Sequence, residues 1–234
     1  MIQNMKKLLW PEICPFCGKV YGTGICPACE SKLNELLVKQ PWCMKCGKPI
    51  RRMEQEYCHD CKNKELHFDV GRALWLHKPP VRHSIYQFKY HNQREFGKYY
   101  VREMLKQFES TIRKWNPDLI IPVPIHKRRR RKRGYNQAEI LAREIARLTN
   151  IPTDSKILKR IRYTNPQKKL DDKLRKRNIQ NAFQVRGDIS HVRRVLLIDD
   201  IYTTGNTLNE CAKKLKEAGV ENVYFLTVSI GQGY

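Results

Sequence analysis

Two groups of residues in this chain have the types and spacing that chemistry needs. Eight of the nine cysteines form four C-x-x-C pairs: Cys14/Cys17, Cys26/Cys29, Cys43/Cys46 and Cys58/Cys61. Far from them, residues 195–207 read VLLIDDIYTTGNT. There an apolar run ends on Asp199 and Asp200, and hydroxyl residues with one glycine follow.

Four thiolates at such spacing close a tetrahedral zinc site that leaves no open position for catalysis. The pairs are separated by eight residues in the first half and eleven in the second. The halves repeat a signature, CPFCGK and CMKCGK, so Gly18 and Gly47 follow the second cysteine of their pairs and allow a tight turn that aims amides at the sulfurs. A redox C-x-x-C would be a single motif in a βαβ setting, and a disulfide framework would need an oxidising compartment. Two structural zinc sites are therefore expected. Sequential pairing makes each half one ribbon; a crossed pairing, first with third and second with fourth, satisfies the same spacing. So short a segment with few large apolar residues needs metal to fold, and a structural zinc supplies ~10–16 kcal/mol. Cys211 stands apart on an apolar helix face and reads as core. His59, with four cysteines at hand, reads as a bystander.

The acid pair has a different chemistry. In a parallel sheet, ligands bind at the carboxyl ends of strands. A turn that leads into a helix there presents free amides and a helix dipole that favour an anion. Asp199 and Asp200 would hold sugar hydroxyls and Mg²⁺. Thr203, Thr204 and Thr207 add donors, and Gly205 permits close backbone approach. A ribose 5-phosphate has matching parts, vicinal hydroxyls and a phosphate a short distance apart.

The elements that must position these groups are legible from periodicity. DVGRALWL reads as a strand, and Pro79-Pro80 opens a helix through VRHSIYQFKY. Phe96, Tyr100, Met104, Phe108 and Ile112 recur at helical spacing, and Asn116-Pro117-Asp118 stops that helix. LIIPVPI is a buried strand. After the basic run HKRRRRKRGYNQ comes a helix with Ala138, Leu141, Ile145 and Leu148 on one face. SKILKR reads as a strand and residues 160–180 as a long mobile loop. RRVLLIDD, a helix with Leu208, Ala212 and Leu215 inward and Gly219 at its end, and the strand VYFLTVSI complete the chain. This alternation predicts an α/β fold, a mainly parallel sheet with helices on both faces.

Composition narrows the partners. The net charge is +23, of which residues 1–61 contribute a surplus of three. The excess therefore lies beyond the cysteines and suits a polyanion. Residues 127–133 are all Lys or Arg, and residues 156–177 add ten more against Asp171 and Asp172. Lys127, Arg133, Lys168 and Arg177 are candidate phosphate contacts, and Tyr135, Tyr163 and Phe183 candidate base-stacking residues. No run approaches the ~18 apolar residues of a spanning helix, and the first residues lack a signal-peptide core. A cytoplasmic protein is expected, with a peripheral place at the inner membrane face as the second option.

VLLIDDIYTTGNT resembles the phosphoribosyl-pyrophosphate (PRPP) fingerprint of type I phosphoribosyltransferases. Nearly the whole chain is similar to the ComF family, the competence-protein members of that fold. The similarity is carried by the double zinc ribbon, the PDLIIPVPIHKRRRRKRGYNQ block and the NPQKKL…LRKRNIQNAF block. It implies a double zinc ribbon over residues 1–65 and a type I phosphoribosyltransferase-like domain over residues 66–234. Asp199 and Asp200 would hold the ribose hydroxyls. Ile201 and Tyr202 would belong to the PRPP-binding stretch, and Thr203, Thr204, Gly205, Asn206 and Thr207 would hold the 5-phosphate, although Asn206 stands where glycine or alanine is commoner. The turn over residues 122–127 matches the pyrophosphate loop. Tyr135, Asn136 and Gln137 match a wall of the site, and Gln167, Lys168, Arg177 and Asn178 the flexible loop. The implied function is an accessory protein of natural transformation that binds single-stranded DNA and PRPP with Mg²⁺ and meets the DNA-uptake machinery, with catalysis open. The alternatives are a nucleotide-salvage phosphoribosyltransferase of unknown acceptor and a non-catalytic PRPP-sensing regulator.

Overall fold

A computed structural model describes residues 12–22, 24–163 and 179–231. In chain order the elements are α1 (Pro27–Leu36), α2 (His59–Asn63), β1 (Val70–Leu76), α3 (Val81–Tyr90), α4 (Phe96–Trp115), β2 (Leu119–Pro122), α5 (Lys127–Arg133), α6 (Gln137–Thr149), β3 (Leu158–Arg160), β4 (Phe183–Val185), β5 (Arg194–Tyr202), α7 (Asn206–Glu217) and β6 (Asn222–Ile230). The main sheet has the order β1-β6-β5-β2, and its three pairings are all parallel. β5 and β6, almost unbroken apolar runs, lie in the middle, as strands buried on both faces must.

Two cores sandwich this sheet. On the first face, Leu196, Ile198, Leu226 and Val228 meet α3, α4 and α6. On the second, Val195, Leu197, Val223 and Phe225 meet α7 and the β3/β4 ribbon. The helical stripe Phe96, Tyr100, Met104, Phe108 and Ile112 is buried along its length. Asn116, with φ 45°, ends α4 in the left-handed conformation. Leu208, Ala212 and Leu215 of α7 are buried as expected, and Cys211 lies among them in the second core.

The cysteine modules belong to these cores. Cys14, Phe16, Cys26, Cys29 and Leu33 join the first, and Cys43, Cys46, Ile50 and Cys58 the second. The segment between the modules closes the outer edge of the sheet. Leu37 bridges Trp75 in antiparallel fashion, the Val38 amide donates to the Leu74 carbonyl at 3.0 Å, and the Gly71 amide donates to the Lys45 carbonyl at 2.7 Å. The opposite edge, β2, is covered by residues 152–154: the Ile120 amide donates to the Pro152 carbonyl at 2.8 Å. Neither edge is left as a template for pairing with another chain.

Several expectations need correcting. SKILKR forms a strand of three residues that pairs only with β4, antiparallel and outside the main sheet. KRRRRKR, for which the residues alone predict no element, is a seven-residue helix, opened by the His126 ring accepting from the Arg128 amide and closed by Gly134 at φ 80°. Leu148 is 41% exposed, not inward, because it falls in the last turn of α6 at the margin of the buried stripe. β5 runs two residues past the acids, through Ile201 and Tyr202. Of the span read as a long loop, residues 164–178 lie outside the described residues, while residues 179–182 lead into β4.

Gly71 shows how tightly the sheet and second core fit. It pairs with Phe225, and a Cβ at Gly71 would overlap the Phe225 ring. Gly71→Ala should cost about 1–3 kcal/mol by overpacking. A denaturant midpoint equal to that of the parent would contradict this reading.

Candidate functional site

The two cysteine groups settle their own pairing. Cys14, Cys17, Cys26 and Cys29 form one cluster and Cys43, Cys46, Cys58 and Cys61 the other, so the pairing is sequential. Within each, all sulfurs lie within 4.8 Å of one another, with Cys17–Cys26 at 3.7 Å and Cys46–Cys58 at 3.6 Å. Zinc–sulfur bonds of ~2.3 Å give a tetrahedron with edges of about 3.8 Å, so the spacing fits the metal. Tight turns at Gly18 and Gly47, with φ 73° and 75°, support the first pair of each cluster. Burial raises the Cys14 thiol, but the backbone amides of Cys26, Phe16 and Cys17 outweigh it and bring it down to about 7. Lys48, buried and paired with Asp60 at 2.6 Å, and Arg72 both feel the sulfurs of the second cluster. These cations offset the negative charge that four thiolates leave on zinc. His59 is a member of neither cluster.

The acid pair sits at the carboxyl end of the central strand β5, and the two carboxylates turn to different neighbours. Successive strand residues point to opposite faces. Asp200, 7% exposed, turns to the first face, where its Oδ1 accepts from Lys89 Nζ of α3 at 2.8 Å. His77, at the end of β1, shares that neighbourhood: burial, then Lys89, lowers its pKa, and Asp200 opposes them. Asp199 faces the other way, toward Arg160 and Cys211. Its Oδ1 accepts from the Asp200 amide at 2.8 Å. Burial, then the Asp200 charge, pushes the Asp199 carboxyl up to about 7, against the opposing pull of Lys89, that amide and Arg160.

The turn after the strand has the form an anion needs. Gly205 caps α7 in the left-handed region, φ 77°, and no side chain caps the helix. The first amides of α7 therefore lack the usual Ser, Thr or Asp acceptor. Thr203 is exposed, and Thr204, Asn206 and Thr207 are half-buried around this end. Ile201 packs against the first core. Tyr202 does not face the turn's open side. It is 1% exposed, its ring stacked on Phe225 in the second core, so its side chain is turned away from the PRPP contact expected of it.

Tyr135, Asn136 and Gln137 act behind the site. All three are buried. The Tyr135 hydroxyl and Gln137 Nε2 donate to the Phe88 carbonyl, beside Lys89. Asn136 Nδ2 donates to the Val123 carbonyl at 3.0 Å, and its Oδ1 accepts from the Ala138 amide, capping α6. One short block thus fixes both the lysine that meets Asp200 and the turn over residues 122–127. Lys127 is exposed beside that turn. Arg133 donates to the Tyr90 hydroxyl at 2.9 Å and lies 4.8 Å from its ring centroid. Gln167, Lys168, Arg177 and Asn178 lie outside the described residues.

Beside the site is a face that is both basic and aromatic. Tyr86 and Tyr90, 53% and 52% exposed, pack ring to ring on α3 at 4.9 Å. Tyr163, 40% exposed, lies under the Arg128 guanidinium at 5.2 Å. Tyr135 and Phe183, expected to stack bases, are instead core residues at 6% and 2% exposure. Sequence reading missed Lys89, His77, Tyr86 and Tyr90. The one available signal was Tyr86, Lys89 and Tyr90 on one helix with Pro80 at its start, which places them together.

Comparison with known proteins agrees with this geometry. Residues 5–62 match the model of a double zinc ribbon domain, and residues 91–229 that of a phosphoribosyl transferase domain. Competence protein F of Haemophilus influenzae is 33% identical over 205 residues, 86% of this chain and 87% of its own. The DNA utilization protein YhgH of Escherichia coli K12 is 29% identical, covering 91% and 94%. Competence protein ComFC of Bacillus subtilis 168 is 27% identical, covering 83% and 79%. No helix among the described residues is long and apolar enough to cross a membrane.

Asp199 predicts a pH dependence. Its folded value, about 7, lies above the ordinary 3.8, so the folded protein keeps a proton that the unfolded chain has released. Stability therefore falls as pH rises through that window. Asp199→Asn removes the effect and should be the more stable protein above pH 7 by on the order of 2–4 kcal/mol. The gap should close toward acid pH. Denaturant titrations across the window measure it, and a gap that does not vary with pH would refute the assignment.

Proposed function

This chain belongs to the ComF family of phosphoribosyl transferase-domain proteins that carry a double zinc ribbon, and from that premise we propose that it is a PRPP- and single-stranded-DNA-binding accessory protein of DNA uptake. The observation that carries the phosphosugar part is the uncapped N-terminus of α7 behind Gly205, directly after an acid pair at the end of the central strand. The α7 amides and Thr203, Thr204 and Thr207 hold the 5-phosphate. Asp199 and Asp200 accept from the ribose hydroxyls, and Asp200 exchanges its bond to Lys89 for the sugar. The turn over residues 122–127, with Lys127 exposed at its end, meets the pyrophosphate, whose oxygens would suit Mg²⁺ as a hard cation. Residues 1–65 are the metal-built module and residues 66–234 the phosphosugar domain.

The DNA part draws support from the basic and aromatic face and from relatives named for competence and DNA utilization. Exposed Tyr86, Tyr90 and Tyr163 stack bases, while Arg128, Arg133 and the rest of α5 meet phosphates. The compartment is the cytoplasm, at the membrane face where single strands arrive. One observation favours a second reading, a PRPP-sensing regulator. Lys89 pairs with Asp200 and lies on the same helix as Tyr86 and Tyr90, so sugar binding frees a cation beside the stacking residues.

Calorimetric titration with Mg²⁺-PRPP tests the first part. The wild type should bind, and Asp199→Asn/Asp200→Asn should not, with its fold intact by circular dichroism. Retained binding in the double variant would remove the acids from the site. For DNA, affinity for a single strand should fall with salt at a slope of roughly −0.7 per phosphate neutralised, and Tyr86→Ala/Tyr90→Ala should weaken it by ~1–3 kcal/mol per stacked base. Salt-independent binding would end the nucleic-acid reading.

A further inference from the structure

One side chain lies between the second cysteine cluster and the phosphate turn. Tyr202 closes β5 three residues before Gly205. Its ring is held on two sides, stacked on Phe225 with centroids 5.1 Å apart and edge-on to Phe68 at 6.3 Å. The Lys48 ammonium lies 5.8 Å from its centroid. Gly205 rests against the hydroxyl end of this ring, so that a Cβ there would overlap the phenol oxygen. The phenol is thus the floor of the turn.

The hydroxyl itself is fully buried and has no hydrogen-bond partner among the described residues. An unsatisfied buried donor costs about 1–3 kcal/mol. The polar groups that bear on it are the sulfurs of Cys46, Cys58 and Cys61, which share the second core with its ring, and Cys46 is within reach of the hydroxyl; a phenol offers one O–H donor at neutral pH. A thiolate bound to metal is a good acceptor, and such ligands ordinarily receive hydrogen bonds from the surrounding protein. The orphaned donor and the four-sulfur cluster complete each other once metal is bound. Among the described residues the first cluster has no unpartnered hydroxyl of this kind, the Tyr100 hydroxyl being bonded to Ser84. Its neighbours among the described residues, Phe16, Trp75 and Tyr100, belong to the opposite core.

We propose that Tyr202 is a positioning residue that ties the metal held by Cys43, Cys46, Cys58 and Cys61 to the phosphate turn, its O–H donating to the metal-bound Cys46 sulfur and its ring setting Gly205. Phosphosugar affinity then depends on occupancy of the second metal centre through this side chain. That consequence rests on the PRPP reading above; the tie between tyrosine and metal does not.

The test uses the full-length protein with both centres loaded with Co²⁺, whose thiolate charge-transfer absorption responds to hydrogen bonds at the coordinated sulfur. Tyr202→Phe keeps the ring and removes the donor. It should shift the band of one centre and speed loss of that metal to a chelator by ~10–100-fold. It should also weaken Mg²⁺-PRPP binding by about tenfold, the scale set by such outer hydrogen bonds. Gly205→Ala, which pushes on the ring from the other side, should shift the same band although it lies outside the cluster. A band unchanged in both variants overturns the tie. A shifted band with wild-type PRPP affinity in Tyr202→Phe overturns the positioning role. If the wild type takes up no PRPP by calorimetry, the phosphosugar reading falls by itself, and the cobalt band still decides the tie.

Discussion

A parallel sheet has to be covered on both faces and along its edges, because its strands are apolar throughout and its outer amides and carbonyls would otherwise recruit another chain. This chain meets the requirement with four strands and little helix to spare. The first cysteine cluster fills part of one core and the second part of the other, while residues 37–45 between them seal β1. Cysteines and sheet are therefore interdependent. The clusters would not hold a fold alone, and the sheet would present β1 bare without them.

The same sheet governs the acids. Because alternate residues of a strand face opposite ways, Asp199 and Asp200 draw on different surroundings. Asp200 has an ammonium at 2.8 Å, while Asp199 feels its own burial and a like charge and is driven up to about 7. A carboxyl held against its ionised form beside a second acid makes a site that is costly to keep empty. Such local cost is ordinary where a fold prepares to receive charge or hydroxyls. After Asp200 the alternation slips: Ile201 packs on the first core and Tyr202 returns to the second. That slip brings Tyr202 beneath Gly205 and beside Cys46.

Much of this was legible in the residues. Periodicity marked α4 from Phe96 onward and the inward face of α7, because a helix that buries one stripe must repeat it. Spacing marked both cysteine clusters, because four thiolates around one metal tolerate few separations. The turn at Gly205 was legible because only a few sequences can end a strand, bend and open a helix without a capping side chain. Misreadings fell where a neighbour distant in sequence decides the outcome. Tyr135 and Phe183 look like stacking residues until the Phe88 carbonyl and the second core claim them. Leu148 follows its helical stripe by type, yet α6 ends before anything covers it.

The sequence by itself determined the metal chemistry, the strand and helix order and the candidate phosphate turn, since each depends on residues close together along the chain. Tertiary structure alone decided that the pairing of cysteines is sequential, that Lys89 meets Asp200 across more than a hundred residues, and that Tyr202 lies between a metal cluster and a glycine turn. The physical reason is packing. Spacing along the chain records local geometry, whereas the partner of a buried charge or hydroxyl is chosen by whichever element the cores bring against it.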